Sequence, residues 1–329
     1  MTRPEIVAIV WAPHEARTAS FADWLGAELH NVHFLLERRP WLAPIKYVPQ
    51  WIATWWLLLR KRPRFVYVTN SPPFAGLCVM LFCSISRTKF VMDTHPPGLF
   101  SRRWAWSKPL QRFTARYAHM NVIDQERFAR MFREWGAPVM VLENPPKLNL
   151  PARPALGLPT QPTISYIGTF GQDEPVDALM EAARLLPDVK FYVLGNIGLA
   201  RQSVIATAPP NVEFTGYLLR DEYWNRLYRS HAIVALTTHE HSLSGAAQDG
   251  LTIGAPLVLS DQPTLREYFT QGAVFAPNNG RGLATGIQSV LEDNERLRSE
   301  MFGLRDVVSM RWRENFEALK RIMSDPKSS

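Results

Sequence analysis

Residues 232–261 read AIVALTTHEHSLSGAAQDGLTIGAPLVLSD. An apolar run, Ala232 to Leu236, gives way to a polar loop, Thr237 to Gly245. A short helical stretch follows, and a second apolar run ends at Ser260-Asp261. Runs that stay apolar at every position, rather than alternating, predict strands of a parallel sheet covered on both faces. The polar side chains gather just past the carboxyl end of the first predicted strand, where open α/β sheets take their ligands. Thr237, Thr238, His239, Glu240, His241 and Ser242 share that loop, with Gln248-Asp249 on the helix beyond, so half of a ligand site is expected here.

The same alternation runs through the chain. Strands are predicted at Glu5–Trp11, Val32–Leu36, Phe65–Asn70, Lys89–His95, His119–Asp124 and Val139–Leu142, with helices at Ala16–Leu29, Tyr47–Arg60 and Phe74–Ile85. Residues 144–163, NPPKLNLPARPALGLPTQPT, hold six prolines. Neither helix interiors nor central strands accept that density, so this stretch reads as a linker or domain crossover. Beyond it, strands are predicted at Thr163–Gly168, Lys190–Gly195, Val212–Tyr217, Ala232–Leu236, Pro256–Asp261 and Ala273–Pro277, then a helical tail from Gly280. Alternating βα units imply an α/β fold of two doubly wound parallel-sheet domains, residues 1–150 and 151–329. At 329 residues the chain is long enough to give each its own core.

With 46% apolar and 20% charged residues the composition is that of a globular protein. Cys78 and Cys83 lie in an apolar run and read as small core residues rather than a disulfide or metal pair. Glu5 and a strand pattern follow the start directly, so no signal peptide is expected. The net charge of +7 is lopsided: residues 1–150 carry 20 Lys/Arg against 10 Asp/Glu, residues 151–329 carry 17 against 20. A basic first half points to an anionic partner, or else is simply a solvated face. The tryptophans favour an anionic membrane surface over nucleic acid, which is not expected as a partner. The uncharged runs Val48–Leu59 and Ser71–Ser86 fall short of the roughly 18–20 apolar residues that span a bilayer, leaving sheet-covering helices or partial insertion.

Several chemistries are absent from the sequence: there is no P-loop, no G-x-G-x-x-G after a strand, no G-x-S-x-G elbow and no D-x-D. His239-x-His241 lacks a third ligand, so no metal and no cofactor is expected. The run Asp249-Gly-Leu-Thr-Ile-Gly254-Ala-Pro256-Leu-Val-Leu-Ser260-Asp261 resembles the E-A-M-A-x-G-x-P-V-[IV]-[AG]-[ST]-D segment of GT-B glycosyltransferases, retaining family 4 in particular. That resemblance implies two Rossmann-like domains facing across a cleft and a nucleotide-sugar donor as substrate. In the family's E-x7-E pair the second carboxylate accepts from the ribose hydroxyls, and Asp249 takes that position. The first falls on His241, with Glu240 beside it, where the family has an acid near the donor sugar and phosphates. A carboxylate accepts from two hydroxyls at once, and the helix N-terminus at Ser244-Gly245 offers amides to an anion. Thr238 adds a hydroxyl, and Gly245 is expected to permit a tight entry to the helix. A carboxylate that merely caps the helix is the alternative for Asp249.

Other segments extend the resemblance. Ser165-Tyr-Ile-Gly168-Thr169-Phe-Gly171 is similar to the glycine loop that opens the donor domain, whose amides would reach the diphosphate. The Arg and Lys usual there are missing, which turns attention to Arg266 for neutralising charge. Val212-Glu-Phe-Thr-Gly216-Tyr217 resembles the strand end that meets the nucleobase, and Trp312-Arg-Glu-Asn-Phe resembles the closing segment where the last helix returns to the first domain. His95 matches a histidine near the transferring sugar, and Asn70 ends a strand on the same side. His14 and Arg17, in the first loop, are expected to meet an acceptor phosphate. In residues 102–118 the side chains of Trp106, Leu110, Phe113 and Tyr117 share one helical face beside Lys108, Arg112 and Arg116, with Trp104 just before them. This resembles a membrane-surface helix, unless the aromatic face is turned into the core.

The expectation is a glycosyltransferase acting on a lipid-linked or polysaccharide-precursor acceptor, peripheral at the cytoplasmic face of the membrane. A nucleotide-sugar epimerase on the same scaffold and a non-catalytic glycosyltransferase-like subunit are the alternatives.

Overall fold

The computed structural model describes residues 4–13, 15–34, 43–95, 98–99, 104–147, 150–153, 157–241 and 243–324. It divides into two compact units, Met1–Pro146 with Arg311–Ser329, and Lys147–Met310.

The first unit holds a six-stranded, all-parallel sheet: β1 (Ile6–Val10), β2 (Glu28–Asn31), β3 (Phe65–Thr69), β4 (Lys89–Asp93), β5 (Met120–Ile123) and β6 (Val139–Val141), in the order β2-β1-β3-β4-β5-β6. Four of these strands are almost wholly buried, which is why they read as mostly apolar runs. β2 differs from expectation. The helix α1 (Ala16–Leu25) stops at Gly26, whose φ of 62° is open to glycine, and the strand follows at once as Glu-Leu-His-Asn. It is a half-exposed edge strand with no apolar run to betray it. Of the expected strand at 32–36, residues 32–34 are irregular and 35–36 lie outside the described residues.

On one face of this sheet lie α2 (Ala43–Lys61), α3 (Pro73–Ser86), α4 (Lys108–Tyr117) and α5 (Glu126–Glu134). α3 sits between α2 and α4 and buries Ala75, Cys78, Val79 and Cys83 against the strands. Both cysteines are free and buried, and burial pushes their thiols well up, the Cys83 thiol to about 12. The opposite face is covered by Phe21 and Ala22 of α1 and by Trp312, Phe316, Leu319 and Met323 from the end of the last helix.

The second unit holds β7 (Thr163–Ile167), β8 (Lys190–Leu194), β9 (Val212–Gly216), β10 (Ala232–Ala235), β11 (Leu257–Ser260) and β12 (Ala273–Ala276), again all parallel, in the order β12-β11-β10-β7-β8-β9. Its helices are α6 (Val176–Leu185), α7 (Gln202–Ala206), α8 (Arg220–Tyr228), α9 (Gly245–Ile253), α10 (Pro263–Tyr268), α11 (Gly280–Glu292) and the start of α12 (Asn294–Ser324). The chain reverses its direction across this sheet between β7 and β10. A doubly wound sheet opens a crevice at the carboxyl ends of two such strands.

Candidate active site

The loops after β7 and β10 flank that crevice and are stitched together by Asp173. Its carbonyl accepts from the Thr238 amide at 2.7 Å, and its Oδ2 from the Thr237 hydroxyl at 3.1 Å. Ser260, at the end of β11, fixes the same corner: its Oγ accepts from the Thr237 amide at 2.9 Å and donates to Asn278 Oδ1 at 2.6 Å. Thr238, His239 and Glu240 are exposed, His241 and Ser244 are half-buried, and Ser242 lies outside the described residues.

The glycine loop after β7 is arranged differently from expectation. Glu174 turns back into it and accepts from the amides of Thr169 at 3.0 Å and Phe170 at 2.9 Å, from the Thr169 hydroxyl at 2.7 Å and from Tyr166 at 2.9 Å. Phe170 adopts a left-handed φ of 56°, which turns its amide into the nest. A protein carboxylate thus occupies the place expected for a diphosphate. Gly168 and Gly171 line this loop; a Cβ on Gly168 would meet the Tyr166 ring at 2.6 Å. Gly195, after β8, is the tightest position: its φ is 140° and a Cβ there would lie 2.1 Å from the Gly168 carbonyl.

α9 begins after Ser244 with no side-chain cap, so its first amides are not closed by a protein oxygen from that residue. Gly245 opens the helix with nothing within 4 Å of where a Cβ would be. The tight entry expected of Gly245 is therefore corrected: it leaves open space over the helix N-terminus instead. Asp249 is the fifth residue of α9, too far in to cap it. Its side chain is 15% exposed; Oδ2 accepts from Tyr223 of α8 at 2.6 Å, and Oδ1 lies 3.5 Å from Lys147 Nζ. Burial pushes the Asp249 carboxyl above the ordinary range, and Lys147 and Tyr223 draw part of that back. Neither partner was visible to sequence reasoning. Lys147 sits in the proline-rich stretch, and Tyr223 on a helix that carries no motif.

Two further donor-side expectations are placed at the surface. Tyr217, past β9, is 84% exposed. Arg266 pairs with Asp261 at 2.5 Å and lies over the Phe275 ring, so it is already neutralised in its own loop.

In the first unit the strand ends converge on a buried ion pair. Arg17 is only 7% exposed; its Nε donates to Asp93 Oδ2 at 3.0 Å, Nη1 to Asn144 Oδ1 at 2.8 Å and Nη2 to the Leu142 carbonyl at 2.7 Å. Tyr67 donates to the same Asp93 oxygen at 2.8 Å, and His95 Nε2 stands 3.6 Å from it. Burial alone raises the Asp93 carboxyl; Arg17, then His95 and the hydrogen bonds from Arg17 and Tyr67, overturn that and hold it below its ordinary range. Burial raises Asp124 nearby. The expectation that Arg17 meets an acceptor phosphate is corrected, because its donors are committed inside the unit. Glu15 likewise closes the helix N-terminus at this loop, accepting from the amides of Arg17 and Thr18. Asn70 is corrected too: it is 1% exposed and ties β3 to Thr94 and to Gln111 of α4. His14 lies outside the described residues.

The aromatic face of residues 102–118 resolves in one direction. Trp106, Phe113 and Tyr117 are 48–63% exposed, and Lys108, Arg112 and Arg116 are exposed beside them, while Ser107, Gln111, Thr114 and Ala115 face the core. Trp104 differs, being half-buried against Phe74 and Tyr47. No helix among the described residues is long and apolar enough to cross a membrane.

Comparison with known proteins agrees with this fold. Residues 161–293 match the family described as glycosyl transferases group 1. No curated protein matches the chain in sequence. Among solved structures, sucrose-phosphate synthase from Thermosynechococcus elongatus aligns with a TM-score of 0.72 at 13% identity, covering 97% of this chain and 100% of that one. HepE of Anabaena, in complex with UDP and glucose, gives 0.70 at 13% identity over 98% and 100%. MnaA of S. aureus, in complex with UDP, gives 0.63 at 12% identity over 97% and 98%. The fold is GT-B, and the residues that match the group 1 glycosyltransferase family lie within the second unit.

Proposed function

We propose that the chain moves a sugar from a nucleotide-sugar donor, bound by the second unit, to a lipid-linked or polysaccharide-precursor acceptor. The reaction is read as retaining, in the manner of family 4, and independent of a bound metal; the place of action is the cytoplasmic face of the membrane. The observation that carries the donor assignment is Asp249. Its carboxylate is kept within a largely buried site against the cost of burial and aimed by Tyr223 and Lys147. A carboxylate so oriented retains lone pairs for both hydroxyls of a ribose. The uncapped start of α9, with its space above Gly245, offers amides and the positive end of the helix dipole to the diphosphate.

By the resemblance, Glu240 and His241 serve the donor sugar and its phosphates, and His95, which stands 3.6 Å from Asp93, the transferring sugar. Departure of the nucleoside diphosphate builds negative charge on the leaving oxygen, and fixed amides and cations stabilise it as the sugar gains oxocarbenium character. The basic first half supports an anionic, lipid-borne acceptor.

Calorimetric titration with UDP-, GDP- and dTDP-sugars tests the donor reading: one class is expected to bind, and Asp249→Asn to abolish that binding. Binding by none of them would overturn it. Transfer of label into a lipid extract is expected of the transferase; conversion of the sugar without any acceptor would assign an epimerase instead.

A further inference from the structure

A helix on the surface of a water-soluble domain turns its apolar stripe inward and its polar face out. α2 is apolar on both sides: Leu58 is buried in the core with Trp51 and Trp55 packed against it, and buried polar groups sit among them. Gln50 and Thr54 are completely buried, one donating to the Val32 carbonyl at 2.8 Å and the other accepting from Trp11 Nε1 at 2.9 Å. Val48, Ile52, Trp56 and Leu59, spaced by four, four and three, line the opposite side and are each 59–64% exposed. α4 and the turn before it bury polar Ser107, Gln111 and Thr114 and turn Trp106, Phe113 and Tyr117 outward. α3, packed between them, exposes Leu81 and Ile85, the latter at 76%. One helical layer therefore presents apolar side chains from three adjacent elements, more than scattered surface hydrophobes account for.

Charge selects what covers it. Between Glu37 and Asp124 the sequence holds fourteen Lys/Arg and a single acid, Asp93, which is fully buried. No carboxylate from this stretch reaches the surface. Arg60 lies over the Trp56 ring at 5.3 Å, its charge at the rim of the apolar stripe. Lys108, Arg112 and Arg116 border a groove of about 740 Å³ that is floored by Phe113, Met131 and Trp135. A second copy of the chain docking by the same face would set cations against cations. Aromatic and aliphatic side chains ringed by Lys and Arg suit instead the boundary between anionic headgroups and acyl chains.

We infer that the outer surface of α2, α3 and α4 is a membrane-docking face. Val48, Ile52, Trp56 and Leu59 enter the acyl boundary of an anionic bilayer, and the basic groove beside α4 takes a headgroup phosphate. The inference supplies the surface by which the proposed transferase reaches a lipid-borne acceptor; it rests on that reading for its use, not for its test.

The test is co-sedimentation of the full chain with vesicles of phosphatidylcholine containing about 30% phosphatidylglycerol, against pure phosphatidylcholine, at low and high salt. Binding is expected to the anionic vesicles and to weaken at least roughly tenfold in high salt. Ile52→Ser with Trp56→Ser, at exposed positions, is expected to lower vesicle affinity about tenfold or more while thermal stability and nucleotide-sugar affinity stay unchanged. Arg112→Glu with Arg116→Glu is expected to remove the preference for anionic lipid. A chain that binds nucleotide-sugar but no vesicle would overturn the docking face and leave the transferase reading standing. Self-association that the Ile52 and Trp56 changes abolish, with no lipid binding, would overturn it in favour of a protein interface.

Discussion

Tyr223 donates its hydroxyl to Asp249 Oδ2 at 2.6 Å. The phenol of α8 thereby fixes the rotamer of the carboxylate on α9 and leaves Oδ1 toward Lys147. A carboxylate held by one short bond is pre-aimed, so a ribose does not have to order it on binding. Tyr223→Phe removes the aim and keeps the ring. Nucleotide-sugar affinity is expected to fall roughly fivefold, the worth of one hydrogen bond of about 1 kcal/mol. Isothermal calorimetry reads this directly, and an unchanged affinity would detach Tyr223 from the site.

Asp249 also carries a pH signature. Burial raises its folded pKa, so the native state binds this proton more tightly than the unfolded chain does. Ionising it therefore costs stability. The cost is absent below the unfolded value near 3.9 and grows as pH rises toward the folded value. Asp249→Asn is isosteric and carries no charge. It is expected to melt higher than the wild type at pH 7, by on the order of 2 °C for each pKa unit of the shift, with the gain vanishing near pH 4. Thermal melts at the two pH values check it. A gain in stability joined to a loss of donor binding would mark a carboxylate retained for its ligand.

Arg17 and Asp93 show the opposite sign. The Asp93 carboxyl is held below its ordinary range, so the stability it contributes is complete above the unfolded pKa and is lost as pH falls through the folded one. Arg17→Met leaves a buried carboxylate beside Tyr67 with its main partner gone. The expected loss is about 3–5 kcal/mol at pH 7. The deficit narrows on acidification, because the orphaned carboxyl takes up a proton. Asp93→Asn added to Arg17→Met recovers part of the loss at neutral pH. Denaturant melts of the single and double variants measure this, and additivity of the two changes would show that the pair is not coupled.

Much of this was legible in the sequence, and the divide between what was and was not is physical. Buried parallel strands are apolar at most positions, so β1, β3, β4, β7 and β10 announce themselves; β2, a half-exposed edge strand, does not. Asp249 was found because a local segment carries it. Its partners come from 26 and 102 positions away, and no local pattern encodes such a meeting. Arg17 misled for a related reason. A cation in the first loop of an α/β unit resembles a phosphate ligand until Asp93, 76 positions away, is found beneath it. The aromatic stripe of α4 was visible by spacing, yet spacing does not say which side faces water; that was settled by the polar residues that α4 buries.

Glu174 offers the sharpest discrimination at the donor loop. Its carboxylate fills the nest of the Thr169 and Phe170 amides and is tied further by Thr169 Oγ1 and Tyr166. Those donors are what a phosphate would use, and the loop carries no Arg or Lys between Gly168 and Glu174 to offset the added charge. If the donor diphosphate approaches this loop, Glu174 competes with it. Glu174→Ala then frees two amides and a hydroxyl and removes a negative charge, so affinity for UDP or for inorganic pyrophosphate is expected to rise several-fold. The fold gives up about 1–3 kcal/mol as the Tyr166 hydroxyl and the amides lose their acceptor. Glu174→Gln, which keeps an acceptor oxygen without the charge, is expected to recover most of the stability and part of the gain in affinity. Calorimetry on both variants decides it. Affinity that falls in step with stability would mean that Glu174 shapes the loop for the donor rather than occupying the donor's place.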